Sequence, residues 1–393
     1  MAVNEQVYGF FIPSVTLIGI GASKAIPEKI KALGGSKPLI VTDKGIVNAG
    51  ICKQITDLLD AAKMEYVVYS DTIPNPTDEN VHAGVEVYKK NKCDSLITLG
   101  GGSSHDCGKG VGLVVANGGK IHDFEGVDKS SKPMPPYLAV NTTAGTASEM
   151  TRFCIITDLS RHVKMAIVDW RVTPNIAIDD PLLMVGMPPA LTAATGMDAL
   201  THAVEAYVST IATPMTDSAA EKAIELIFKY LRKAVANGKD LEAREAMCFA
   251  QYLAGMAFNN ASLGHVHAMA HQLGGFYDLP HGECNAILLP HVEKFNLIAR
   301  VERFAKMAEI MGENITGLPL RKAAEKALDA IKELSTDVGI PAGLVELGKR
   351  YGKDVKAADI PTMTANAQKD ACGLTNPRCP KDADVVAIYT AAL

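Results

Sequence analysis

Four of the chain's ten histidines, His265, His267, His271 and His281, fall within residues 264–283, in the stretch GHVHAMAHQLGGFYDLPHGE. A core helix has no use for so many imidazoles, whereas a metal site does. His267 and His271 are four apart and share one face if the segment is helical. His265 precedes His267 by two residues, which turns it to the other side. GGFYDLP then breaks the helix, and His281 follows Pro280. Upstream, GMDALTHAVEAY (196–207) sets Asp198 and His202 four apart, again on one helical face. Two helices and a loop can therefore bring one carboxylate and three imidazoles to one cation. Spacing alone leaves open whether His267 or His271 is the third imidazole, and the pattern is not the H-E-x-x-H of metalloproteases. Three neutral imidazoles and one carboxylate leave a divalent ion with net positive charge. That suits Lewis-acid work on an alcohol or carbonyl oxygen, and both ferrous iron and zinc accept such N/O ligation.

A second group of residues has the chemistry of an anion site. LITLGGGSSHDCGKG (96–110) reads as a strand, a glycine turn and a helix start, which aims backbone N–H groups and the helix dipole at a phosphate. It is not a Walker A loop, since Gly102 and Gly108 have one residue too many between them and Gly110 follows Lys109. It also fails G-x-G-x-x-G at His105, as GIGASK (19–24) does at Lys24. NTTAGTASEMT (141–151), rich in hydroxyls, follows another expected strand. Asp43, at the end of PLIVTD, can accept ribose hydroxyls and repel a 2′-phosphate, which points to NAD rather than NADP.

The elements that carry these groups change character along the chain. TLIGIGA (16–22), PLIVTDKG (38–45), EYVVYS (65–70) and DSLITLGGG (94–102) read as strands. SKAIPEKIKAL (23–33), ICKQITDLLDAAKM (51–64) and ENVHAGVEVYKKN (79–91) read as the helices between them, and PYLAVNTT (136–143) and KMAIVDW (164–170) continue this half. The alternation predicts a parallel α/β sheet over residues 1–183. Helical spacing with little strand signal predicts an all-helical domain over 184–393, with the boundary near DDPLLMVGMPPA. A cleft between two such domains is a usual place for a ligand.

Composition narrows the class. The 393 residues are 48% hydrophobic with net charge −5. That is ample for a large core and gives no basic surface for nucleic acid. No secretory signal and no apolar run of membrane-spanning length are read. The eight cysteines form no C-x-x-C pair, so reduced thiols and a cytoplasmic location are expected.

Over nearly its whole length the chain resembles the iron-containing (group III) alcohol dehydrogenases, and within them the methanol and 1,3-propanediol dehydrogenase branch. The likeness rests on FFIPSVTLIG, PNPTDENV, LGGGSSHDCGKG and NTTAGTASEMT. It is most specific in DDPLLMVGMPPALTAATGMDALTHAVEAYVS, LAGMAFNNASLGHVHAMAHQLGG and LPHGECNAILLPHV. It implies an α/β dinucleotide-binding domain and an all-α metal-binding domain, a dehydroquinate synthase-like architecture. It implies the metal ligands Asp198, His202, His267 and His281, holding Fe2+, zinc or another divalent cation. His271 then matches the non-ligand histidine near nicotinamide and substrate, a proton-transfer candidate. The implied NAD contacts are Asp43, Asn75, Gly101, Gly102, Ser103, Thr142, Thr143, Thr146, Lys164 and Leu183, and Phe153 and Phe258 match positions lining the substrate pocket. The implied reaction is hydride transfer between a short primary alcohol or diol and NAD, in a homo-oligomer, either a dimer or a decamer. A lyase or synthase on the same scaffold, acting on a phosphorylated acid, would call for Lys and Arg around the metal. None lies among residues 258–293. A non-catalytic regulator would call for an appended sensing module, and none is read.

Overall fold

The computed structural model describes residues 7–161 and 163–393. Its first half is built on six parallel strands: β1 (Val15–Ile18), β2 (Pro38–Asp43), β3 (Val67–Thr72), β4 (Ser95–Gly100), β6 (Tyr137–Asn141) and β9 (Ile176–Asp179), in the order β1-β9-β6-β4-β2-β3. The central strands β4 and β6 are buried at every residue, as expected of a sheet covered on both faces. On one face Ile26, Ile30, Ile55 and Leu59, from α1 (Ile26–Ala32) and α3 (Ile51–Ala61), pack on Ile40, Ile97 and Leu138. On the other, Val81 and Val85 of α4 (Asp78–Lys90) and Val111 of α5 (Gly102–Asn117) pack on Leu39, Val41 and Leu96. The short helix α2 (Lys44–Asn48) begins directly after β2, capped by the Asp43 carboxylate, which accepts the Ile46 N–H.

Two parts of this half depart from the expected pattern. KMAIVDW does not join the main sheet. It forms β8 (Val163–Val168), which pairs antiparallel with β7 (Phe153–Asp158) and parallel with the two-residue β5 (Gly126–Val127) in a separate three-stranded sheet. The sixth main-sheet strand is instead β9, four residues closed between Asn175 and the Asp180–Pro181 turn, too short to stand out by periodicity. The stretch expected as one helix at 23–33 divides into a 3-10 turn (Ala22–Ala25) and α1, with Pro27 in the first turn of α1.

After β9 the described chain is helical: α6 (Pro189–Val208), α7 (Pro214–Ala236), α8 (Leu241–Ala261), α9 (His265–Tyr277), α10 (His281–Asn296), α11 (Val301–Ile310), α12 (Leu320–Asp337), α13 (Leu344–Arg350), α14 (Ile360–Ala367) and α15 (Asp382–Ala392). Their common core takes in Ala144, Ala147 and Met150 from the loop after β6, so the two halves pack through that loop. Among the described residues, no helix is long and apolar enough to cross a membrane. All eight cysteines are free, and six are buried.

Candidate active site

The strand order reverses between β2 and β4: β3 lies outside β2 on one side and β4 on the other. In open α/β sheets the carboxyl ends of strands at such a switch point form a ligand crevice. Asp43 ends β2 there, and Gly100 ends β4 with φ of 149°, a conformation that favours glycine. A Cβ on Gly100 would also lie 2.4 Å from Ser104 Oγ. The next residues, Gly101 and Gly102, start α5, with Gly101 at the N-cap and no side chain capping it. Ser103 follows in the first turn, so free N–H groups face the crevice. The loop after β6 lies directly opposite. A Cβ on Gly101 would meet Thr143 at 3.0 Å and one on Gly102 would meet Thr146 at 3.0 Å. Thr142 Oγ1 is buried with no hydrogen-bond partner among the described residues.

The expected cofactor residues therefore fall into three places. Asp43, Gly101, Gly102, Ser103, Thr142, Thr143 and Thr146 share the crevice. Asn75 and Lys164 form a second group, joined by Lys164 Nζ donating to Asn75 Oδ1 at 2.9 Å. The Asn75 amide is 3.4 Å from Asp278, just past α9, so this pair links the sheet half to the histidine helix. Burial pulls the Lys164 ammonium below its usual range. Leu183 stands apart: it is buried in the core under α1 and α3.

On the helical side, α6, α9 and α10 converge. Asp198 Oδ1, His267 Nε2 and His281 Nε2 form one cluster, with 4.0 Å from Asp198 to His267 and 3.6 Å to His281. It is His267, not His271, whose ring nitrogen meets the carboxylate. His202 stands beside them, its ring 4.7 Å from that of His267 and stacked at 4.3 Å on Phe258, with Nδ1 buried and unpartnered among the described residues. Phe153 lies 5.9 Å from Phe258, so both aromatics border the cluster. His271 stays beside the cluster, its ring stacked 5.4 Å from that of His281 and edge-on 6.0 Å from that of His267, while its Nδ1 donates to Asp370 Oδ2 at 2.8 Å. His265 is buried on the far side of α9 against Gly373.

The donor set fits a divalent cation. Burial lowers His202, holds His281 down at about 3, and lowers His267 well below its usual range, with its imidazole neighbours adding to the effect. All three rings are therefore neutral at pH 7, the form that ligates a metal. The buried carboxylates of Asp198 and Glu205 pair with no Lys or Arg among the described residues. Burial pushes the Glu205 carboxyl well above its usual range, a penalty that a nearby cation relieves. Asn285 of α10 donates to Asp198 Oδ1 at 2.7 Å, and its amide nitrogen lies 3.1 Å from His267 Nε2 and 3.0 Å from His281 Nε2.

Three polar residues around the cluster, Glu205, Asn285 and Asp370, carry no recognised spacing in the sequence. Glu205 had one legible signal, a charged residue in the apolar run AVEAYV, where a carboxylate is costly unless engaged.

Comparison with known proteins agrees along the whole chain. The family described as "Iron-containing alcohol dehydrogenase" matches residues 13–181, and "Fe-containing alcohol dehydrogenase family, C-terminal" matches residues 192–393. The chain is 51% identical to a 1,3-propanediol dehydrogenase of Klebsiella pneumoniae, over 99% of this chain and 100% of the relative. It is 49% identical to an NAD-dependent methanol dehydrogenase of Bacillus methanolicus, over 98% and 99%. The crystal structure of a 1,3-propanediol oxidoreductase superposes with a TM-score of 0.96 at 51% identity, covering 99% of this chain and 100% of the other. The sheet half and the helical half each match one family, and the chain belongs to the iron-containing alcohol dehydrogenases.

Proposed function

We propose that the chain interconverts short primary alcohols or diols and their aldehydes, with NAD as hydride acceptor and a divalent cation, ferrous iron in the first instance, at the helical cluster. The observation that carries this reading is the convergence of Asp198, His267 and His281 beside His202. When bound, the cation supplies Lewis acidity to the substrate oxygen and NAD supplies the redox chemistry. Asp198, His202, His267 and His281 hold the cation. Zinc fits the same donors.

The chain's own groups do the rest. Asp43 accepts the ribose hydroxyls and disfavours a 2′-phosphate, while the N–H groups of Gly101, Gly102 and Ser103 and the hydroxyls of Thr142, Thr143 and Thr146 hold the pyrophosphate region. Asn75 and Lys164 bind at the end of the cleft nearer α9, and Leu183 backs it through the core. Phe153 and Phe258 exclude water and set the width of the alcohol pocket. With its Nδ1–H committed to Asp370, His271 keeps Nε2 free to accept the proton released on oxidation. The division into residues 1–183 and 184–393, the cytoplasmic location and a homo-oligomeric state, dimer or decamer, belong to the same proposal.

The test is NADH formation by anaerobically purified protein with a panel of short alcohols and diols, as isolated, after chelation, and after adding back ferrous iron or zinc. Activity lost on chelation and restored best by iron is expected. No NADH with any alcohol or metal, from folded protein that still binds NAD, overturns the reading.

A further inference from the structure

Helix α6 presents three polar side chains on one stripe: Asp198, His202 and Glu205, at positions i, i+4 and i+7. The first two belong to the proposed metal set. Glu205 does not reach the cluster but is equally buried, and both of its oxygens are engaged. Oε2 accepts from His267 Nδ1 at 2.5 Å. Oε1 accepts the backbone N–H of Val266 at 2.7 Å. The N-cap of α9 is Gly264, which has no side chain to cap it, so the carboxylate of a different helix caps α9. Gly264 leaves the space for this: a Cβ there would lie 2.8 Å from Glu205 Oε1.

An imidazole has two ring nitrogens, and a hydrogen bond at one decides what the other offers. Asn285 Nδ2, which donates to Asp198 Oδ1, also lies 3.1 Å from His267 Nε2, so Nε2 presents a lone pair towards Asp198 and His281 and the ring proton sits on Nδ1, facing Glu205. We propose that Glu205 is a positioning residue for the metal centre: it fixes the tautomer and ring orientation of His267 while anchoring the first turn of α9. This rests on the assignment of His267 as a ligand.

The geometry supplies a discriminating substitution. Glu205 serves two donors, Val266 N–H and His267 Nδ1–H, with two acceptor oxygens. In Glu205→Gln the side chain keeps its size but has one acceptor. It can cap α9 or hold the tautomer, but not both.

The experiment measures zinc affinity by competition with a chelator for the full-length wild type, Glu205→Gln and His267→Ala, with circular dichroism and NAD binding as checks on folding. Glu205→Gln is expected to fold, bind NAD and lose zinc affinity by about 10–100-fold, the usual effect of removing a metal ligand's outer partner. In the zinc-loaded wild type, 15N-labelled histidine is expected to show His267 protonated at Nδ1. A purely structural role for Glu205 would leave affinity within about threefold of wild type. That result, with His267→Ala losing zinc, overturns the inference and leaves the ligand assignment standing. If Glu205→Gln does not fold, the wild-type spectrum decides, since a proton on His267 Nε2 overturns the inference by itself. Full zinc affinity in His267→Ala would instead overturn the ligand assignment beneath it.

Discussion

Gly282 stands so close to Ala194 that a Cβ on it would lie 2.3 Å from the Ala194 carbonyl oxygen and 3.4 Å from Asp198 Cβ. The start of α10 is thus pressed onto α6 where the two helices deliver His281 and Asp198. Gly282→Ala must push α10 outward, because the obstructing atom is backbone and cannot rotate away. The expected cost is about 1–3 kcal/mol of stability, together with weaker metal binding as His281 withdraws from Asp198. Thermal melts and chelator competition on the same preparation check both effects.

His267→Ala should remove metal and activity together, with kcat/KM down by roughly 10³-fold or more, the scale of a Lewis acid's contribution. Metal content by elemental analysis separates this from misfolding. A variant that keeps its metal and its rate would remove His267 from the ligand set.

His271→Ala should keep the metal and lose about 10²-fold in kcat, as expected for removal of a proton acceptor. Asp370→Asn should also retain metal. Loss of metal in His271→Ala would place that ring among the ligands.

Asp43 has two duties, a cap on α2 and the proposed discrimination against NADP. Asp43→Ser separates them, since serine still caps a helix but carries no charge. The ratio of kcat/KM with NADP to that with NAD is expected to rise on the order of tenfold, about 1.4 kcal/mol, with little change in melting temperature. An unchanged ratio would show that Asp43 does not read the ribose.

Glu293 is wholly buried, and burial raises its carboxyl to about 8, with one hydrogen bond from Asn296 working the other way. In the unfolded chain it titrates near 4.5. The folded protein therefore binds the extra proton between those values, and this group's stability contribution is complete below pH 4.5 and lost as pH rises through about 8. Glu293→Gln should leave stability near pH 5 almost unchanged and raise the melting temperature at pH 8.5 by about 2–4 °C. Melts across pH 5–9 test the crossover.

What was legible in the sequence was local. Asp198 and His202, or His267 and His271, can be placed on common faces because a helix repeats every 3.6 residues. The glycine turn was legible because a strand and a helix flank it. What the sequence hid depends on distant parts of the chain. Asp370 meets His271 across 99 residues, and Glu205 meets His267 across 62. β8 carries an ordinary strand pattern, and only its partner β7 shows that it belongs outside the parallel sheet. Periodicity could not choose between His267 and His271, since they share a face; the direction from which α6 arrives separates them.

The two aromatics bordering the cluster also differ in how freely a descendant of this enzyme could vary them. Phe153 sits half-buried at the start of a strand, with its ring touching only Phe258 among the aromatic contacts described. Phe258 is stacked on His202. If Phe153 lines the alcohol pocket as proposed, trimming it enlarges that pocket without touching His202, while trimming Phe258 removes the ring stacked on that proposed ligand. An evolutionary path toward bulkier alcohols is therefore open through the strand and obstructed through the helix.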